Sequence, residues 1–205
     1  EDGIRDIGVT GVQTCALPIY SQTHCHAHTD TDASADTDTM DKAVAKGVVA
    51  ASEVKIFTAN QLVLVAPTES KLTLQLLSDL KRADIKRIAM GLPASVPAGH
   101  YAQSALEKAG VWMELKDKII STTNVRQALD YVSRDEVDVG FVYASDALLM
   151  QDKVKVVFQV QTTTPIQYAI AKVNGTIQND AANKFIAYVQ SNTGQSILKK
   201  FGFGR

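Results

Sequence analysis

Residues Ile85 to Gly110 constrain the fold of this chain more than any other stretch. Ile85-Lys86-Arg87-Ile88-Ala89-Met90 reads as a strand, Gly91-Leu92-Pro93 breaks it, and Val96-Pro97-Ala98-Gly99 opens directly into a helix. Proline suits the first helical position, because the N–H it lacks would have been unpaired there. Tyr101, Ala102, Ala105, Leu106 and Ala109 share one helical face, and Gly110 stops the helix. Strand, loop and helix N-terminus in that order is how α/β proteins build ligand sites. With Ala98 and Gly99 in the first turn, almost no side chain stands before the free amides. Such a start attracts anions through its N–H groups and the positive end of the macrodipole. The plain alternative is a capped core helix that binds nothing.

The same order recurs along the chain. Met40, Ala43, Val44, Val48 and Val49 predict a short amphipathic helix capped by Asp36 or Thr37. Leu62-Val63-Leu64-Val65-Ala66-Pro67 is the continuous apolar run of a strand buried on both faces. Thr73 to Arg82 reads as a helix, as does Val111 to Lys118, with Trp112 as its core anchor. Ile119-Ile120 is a brief strand, and Ser121-Thr122-Thr123-Asn124 follows with four capping-type residues. Val125, Ala128, Leu129 and Val132 then mark a helix beginning near Asn124, a second set of amides after a strand. Val137 to Tyr143 is a strand ending in Ala144-Ser145-Asp146-Ala147, where Ser145 or Asp146 caps the next turn. Tyr143 stands at that strand's end with its hydroxyl toward a cleft, or alternatively as a structural tyrosine. Val154 to Val160 and Ile166 to Val173 are further strands. Asn179 to Gln190 and Gly194 to Phe201 are closing helices, with Phe185, Ile186, Val189, Ile197, Leu198 and Phe201 turned inward.

Composition narrows the function classes. The 205 residues can form one domain or two small lobes, and a net charge of -1 offers no basic field for nucleic acid. No apolar run reaches the roughly 18–20 residues of a membrane span. No phosphate loop, dinucleotide fingerprint or nucleophile elbow is present, and His100 is the sole histidine after Asp32. The reading is therefore of a protein that is not an enzyme and carries no cofactor. His100 itself is a first-turn residue facing solvent, able to sense pH if an anion lies near.

Residues 1–32 read differently from the rest. They lack helical or strand periodicity, and Val9 to Ile19 resembles the translation of a common sequencing-library adapter, so 1–32 is expected to be a non-native, disordered leader. Both cysteines, Cys15 and Cys25, lie in it. His24-Cys25-His26-Ala27-His28 is the only cluster that suggests a metal, with Asp30, Asp32 and Asp36 nearby. No strand precedes it and no other histidine but His100 could complete a cage, so no metal site is expected.

What remains is two helix N-termini and one phenol, each following a strand, all donors and none formally charged. Such a set suits a fully deprotonated tetrahedral oxyanion. Hydrogen phosphate is disfavoured, because its own O–H would meet no acceptor. At these residues the chain resembles the periplasmic molybdate-binding proteins of ABC transporters. The matching text is Ser34-Ala35-Asp36 with Met40 and Ala43-Val44, Leu62 to Pro67, and Val96-Pro97-Ala98-Gly99 with Tyr101-Ala102. It continues through Asn124-Val125-Arg126, Val142 to Ala147 and Phe201-Gly202-Phe203, in the family's order.

The resemblance implies a type II periplasmic-binding fold with two α/β lobes and an oxyanion, molybdate or tungstate, in the cleft between them. It implies contacts from the amides of Ala98 and Val125 and the hydroxyl of Tyr143. Two serine contacts of the family belong to an N-terminal part that has no match here, and Ser34 is neither of them. The implied partners are a membrane permease and its ATPase, for a monomeric protein exported to the periplasm or cell envelope. Alternatives are another oxyanion such as sulfate, or the effector-sensing domain of a transcription regulator. Residues 65–164 are expected to form the complete second lobe, with 33–64 and 165–205 a remnant of an incomplete first lobe. On this reading the chain carries half of its cleft. Calorimetry should then detect little or no molybdate binding, and restoring a full N-terminal lobe should recover it; tight binding by the chain as given would contradict the expectation.

Overall fold

The computed structural model describes residues 31–34, 37–175, 177 and 179–204. Residues 1–30 lie outside them, and with them the adapter-like stretch, both cysteines and the His24–His28 cluster. The chain divides into two compact units, one comprising Glu1–Ala59 with Ile166–Arg205 and the other Asn60–Pro165.

In the first unit, β1 (Thr31–Ser34), β2 (Lys55–Asn60) and β8 (Ile166–Lys172) form a sheet in the order β1-β8-β2. Thr31 and Asp32 pair with Lys172 and Ala171, so a leader boundary at residue 32 would cut β1. Edge pairing draws on main-chain groups, which explains why no apolar pattern announced this strand. Helix α1 (Thr37–Ala45) is shorter than its sequence pattern. Gly47, at φ 71°, turns the chain out of it, and Val49 bridges to Val173 instead of continuing the helical face. Met40, Ala43, Val49, Ala169 and Ala171 form the core of this unit. Helices α6 (Asn179–Gln190) and α7 (Asn192–Lys200) close it. Phe201 is 41% exposed, and the buried aromatic is Phe203, edge-on to Tyr168 at 5.5 Å. The reason is the turn after α7: Gly202 takes φ 85°, which reverses the chain and sends Phe203 rather than Phe201 inward.

The second unit holds a five-stranded sheet. Its strands are β3 (Leu62–Pro67), β4 (Ile88–Gly91), β5 (Ile119–Thr122), β6 (Val139–Tyr143) and β7 (Val154–Gln159), in the order β5-β4-β6-β3-β7. All of β3 belongs here, so the strand is not divided at Val65. β4 runs parallel to β5 and β6, while β3 is antiparallel to β6 and β7. Val63, Val65, Ala89 and Val142 on one face meet Ala128, Leu129 and Val132 of α4 (Val125–Ser133). The alternate residues Leu62, Leu64, Ile88, Met90 and Phe141 face the other way and are fully buried. Helix α2 (Pro97–Lys108), buried through Ala98, Gly99, Ala102, Ala105 and Leu106, packs on β3, β4 and β6. Helices on both faces account for the unbroken apolar text of β3.

Two expected helices are cut down. Val111 to Lys118 is the short helix α3 (Trp112–Leu115) running into a 3-10 turn; its buried anchors are Val111 and Leu115, while Trp112 is only half-buried. Thr73 to Arg82 yields only a 3-10 turn over Leu77–Lys81. There the Asp79 carboxylate accepts from the amides of Gln75 (2.8 Å) and Leu76 (3.0 Å), offering the backbone an alternative to an α-helix. Those amide bonds hold its pKa below the usual carboxylate range. A depressed folded pKa contributes stability above the unfolded value and loses it as pH falls through the folded one. Asp79→Ala should therefore lower the melting temperature near neutral pH, with a deficit that shrinks below about pH 4. Melting curves of both proteins from about pH 3 to 7 check this; a deficit independent of pH would show that the carboxylate charge is not what the turn uses.

Candidate functional site

Three strand ends position the residues singled out above. β5, β4 and β6 are neighbours and parallel, with Gly91 opposite Thr122 and Ala89 opposite Gly140. Their C-terminal ends therefore lie at one end of the sheet, within roughly 10 Å of one another at ordinary strand spacing. Ala98 follows β4, Val125 follows β5, and Tyr143 is the last residue of β6. The first two connections are fastened side by side, because the Leu92 N–H donates to the Thr122 carbonyl at 2.8 Å. Ser95 and Val96 then donate to the Leu92 carbonyl, which tightens the turn into α2.

The two helix starts are built differently. In α2, Pro97 occupies the first position, and the first bonds run from Gly99 and His100 to the Val96 carbonyl. Ala98 precedes them, so its N–H has no intrahelical acceptor. Gly99 is what lets this turn seat against the sheet: a Cβ there would collide with the Gly91 carbonyl oxygen. In α4, the Asn124 side chain accepts from the Gln127 N–H at 2.8 Å and caps the helix. The buried Thr122 hydroxyl donates to the Asn124 carbonyl at 3.0 Å, fixing the approach. Val125 and Arg126 precede Gln127, so their amides again lie ahead of the intrahelical bonds. Neither helix has an acidic residue in its first turn, where a carboxylate would repel an incoming anion.

Tyr143 is 3% exposed, so its ring belongs to the core of this unit as much as to any site. Sequence reasoning missed what fixes its position. The buried Asn60 Nδ2 donates to Ser145 Oγ at 2.9 Å, Asn60 Oδ1 accepts from Gln61 N–H, and the Ala144 N–H donates to the Gln61 carbonyl. Partners 85 residues apart leave no local signal. Ser145 and Asp146 do not cap the following turn from outside; both are buried within helix α5 (Ala144–Leu149), whose N-cap is Tyr143. His100 is exposed in the first turns of α2.

A cavity of about 430 Å³ occurs at the other end of this sheet, lined by Pro67, Glu69, Asp84, Asp138, Asp152 and Lys153 among others. Its carboxylates serve their own surroundings: Asp138 accepts from the amides of Lys86 and Arg87, and Asp84 pairs with Arg82 at 2.6 Å. That pairing holds Asp84 below the usual carboxylate range. Its acidity suits no anion. Among the described residues no three or more histidine, cysteine or carboxylate side chains converge so as to hold a metal ion.

Comparison with protein families matches residues 8–204 to the bacterial extracellular solute-binding proteins. The chain belongs to that family. The match begins inside the stretch that the sequence reading sets aside as a leader. A Bacillus subtilis solute-binding relative, the putative ABC transporter substrate-binding lipoprotein YvgL, is 37% identical over 164 residues, 79% of this chain and 62% of its own. The molybdate-binding protein ModA of Escherichia coli K12 is 34% identical over 170 residues, 80% of this chain and 65% of its own. This chain thus spans somewhat less than two thirds of these curated relatives. Among solved structures, the substrate binding domain of a putative molybdenum ABC transporter from Clostridium difficile superposes with a TM-score of 0.74 at 33% identity, covering 88% of this chain and 78% of that one. The fold is that of the periplasmic binding proteins, as the resemblance implied.

Gly99→Ala should destabilise this solute-binding protein by about 1–3 kcal/mol, because the new methyl meets backbone that cannot move away. Without the clash, Gly→Ala inside a helix would gain about 1 kcal/mol. Denaturant unfolding decides between the two; a stabilised variant would mean that α2 does not press on Gly91.

Proposed function

We propose that this protein is the substrate-binding component of an ABC import system for molybdate or tungstate, exported to the periplasm or cell envelope. The oxyanion is held by uncharged donors, the amides of Ala98 and Val125 and the hydroxyl of Tyr143. Its partners are a membrane permease and the ATPase that drives it. The observation that carries the reading is the meeting of the β4, β5 and β6 ends at one end of a sheet, two of them leading into carboxylate-free helix starts. The reading is supported by the names of relatives at 33–37% identity: molybdate-binding proteins, a substrate-binding lipoprotein and a molybdenum transporter domain.

Physical chemistry favours the same class of ligand. Helix N-termini offer donors and partial positive charge without a fixed cation. A dianion with four bare oxygens satisfies every donor and brings no proton of its own. Hydrogen phosphate brings an O–H that an all-donor site leaves unpaired, at a cost of about 1–3 kcal/mol. Neutral donors also keep release fast enough for a carrier, which must surrender its cargo to the permease. On this reading the chemistry is binding and release, with no bond made or broken in the ligand.

The test is a ligand-induced melting shift across molybdate, tungstate, sulfate and phosphate, on a version whose N-terminal region is rebuilt to the length of the curated relatives. Molybdate and tungstate at a hundredfold excess over Kd should raise Tm by about 5–10 °C. Phosphate should leave it unchanged. An equal shift with phosphate, or none with either metal oxyanion, would overturn the proposal.

A further inference from the structure

We propose that Asp130 limits how tightly this site grips an anion by holding the Arg126 guanidinium away from the bound ligand. The inference rests on the reading that the Ala98 and Val125 amides receive an oxyanion. Arg126 is the second residue of α4, directly after Val125, and no acidic residue shares its first turn. Helix physics does not favour a cation there, because the positive end of the macrodipole lies at the same terminus. What the position does offer is closeness to any dianion resting on the Val125 amide.

Arg126 Nε lies 3.5 Å from Asp130 Oδ1, one turn further along the helix. The side chains are 56% and 34% exposed, so the arginine is free to move if its partner is lost. The other polar groups of the turn are neutral and engaged with one another. Gln127 Oε1 accepts from the Thr123 N–H and hydroxyl, and Gln127 Nε2 donates to the Tyr131 hydroxyl. Asp130 is therefore the group that directs Arg126 along the helix and offsets its charge.

The consequence concerns how tightly anions are held. A guanidinium on the ligand would grip sulfate, phosphate and molybdate alike through charge-assisted, bidentate bonds. Attraction of that kind grows with any negative charge and ignores whether the ligand carries a proton. With Arg126 tethered, the hold is left to amides and a phenol, neutral donors that let a ligand go more readily. Asp130 is in this sense a positioning residue for affinity, acting through Arg126 and touching no ligand itself.

Amide resonances of Ala98 and Val125 in the version with its N-terminal region rebuilt to the length of the curated relatives, titrated with sodium molybdate, sulfate or phosphate at low ionic strength, test this directly. Asp130→Asn should tighten sulfate and phosphate about three- to tenfold, the range expected of one unscreened charge several ångströms away in partly exposed surroundings. Molybdate, a dianion too, should gain by a similar factor. The gain should vanish in about 0.5 M salt, where the screening length falls to a few ångströms. It should also vanish in the Asp130→Asn/Arg126→Gln pair, measured against Arg126→Gln alone. A gain that survives loss of Arg126 would overturn the proposal, since it would reflect only a deleted negative charge. Titrations of Asp130→Asn within twofold of the parent would overturn it too, leaving an ordinary surface ion pair and the proposed function intact. Absence of any molybdate-induced shift at either amide in the rebuilt parent would overturn both.

Discussion

The close approach of Gly99 to the Gly91 carbonyl is the contact on which the rest of the second unit depends. It requires glycine at Gly99, since a Cβ there would strike backbone. It presses the first turn of α2 onto the end of β4, the central member of the parallel trio β5-β4-β6. Once that turn is seated, Ala98 sits over the sheet's C-terminal end, and the Leu92–Thr122 bond draws the next connection beside it. Gly140 plays a matching part on β6, where a Cβ would come within 2.7 Å of Val132 in α4. Two helices can thus cover the sheet closely enough to bring their N-termini to adjacent positions. Position, rather than any reactive side chain, is what this unit supplies.

The electrostatics follow from the same economy. Backbone amides at helix starts provide positive potential that needs no counter-ion and no desolvated ammonium. Asp138 and Asp84 lie at the opposite end of the sheet, occupied with the amides and arginine beside them, while Asp146 is buried in the first turn of α5, directly after Tyr143. The one guanidinium at the start of α4 is engaged by Asp130.

Much of this was legible from residues alone, and the misses have physical causes. The Asn124 cap, the buried stripe Ala128, Leu129 and Val132, and the Pro97 start were local patterns that the tertiary structure had no cause to override. Thr73 to Arg82 failed because a side chain, Asp79, took the amides that a helix would have used. Trp112 was expected in the core on size, yet the helix carrying it ends after one turn and buries Val111 and Leu115 instead. Phe201 and Phe203 exchanged roles because one glycine at positive φ lies between them. The strands β1 and β2 carried no alternation strong enough to announce them, being fixed by backbone pairing in the order β1-β8-β2.

The residues by themselves determined which segments could start a helix without blocking its amides, and which strand had to be covered on both faces. Those are local consequences of proline, small side chains and apolar continuity, and they hold in any fold. Only the tertiary structure decided that β5, β4 and β6 lie side by side and parallel, so that three positions far apart in the chain share one end of a sheet. It alone decided that Asn60 would reach Ser145 and that Tyr143 would be buried. Strand order and long-range pairing depend on which surfaces fit when all are buried together, and no window of sequence contains that information.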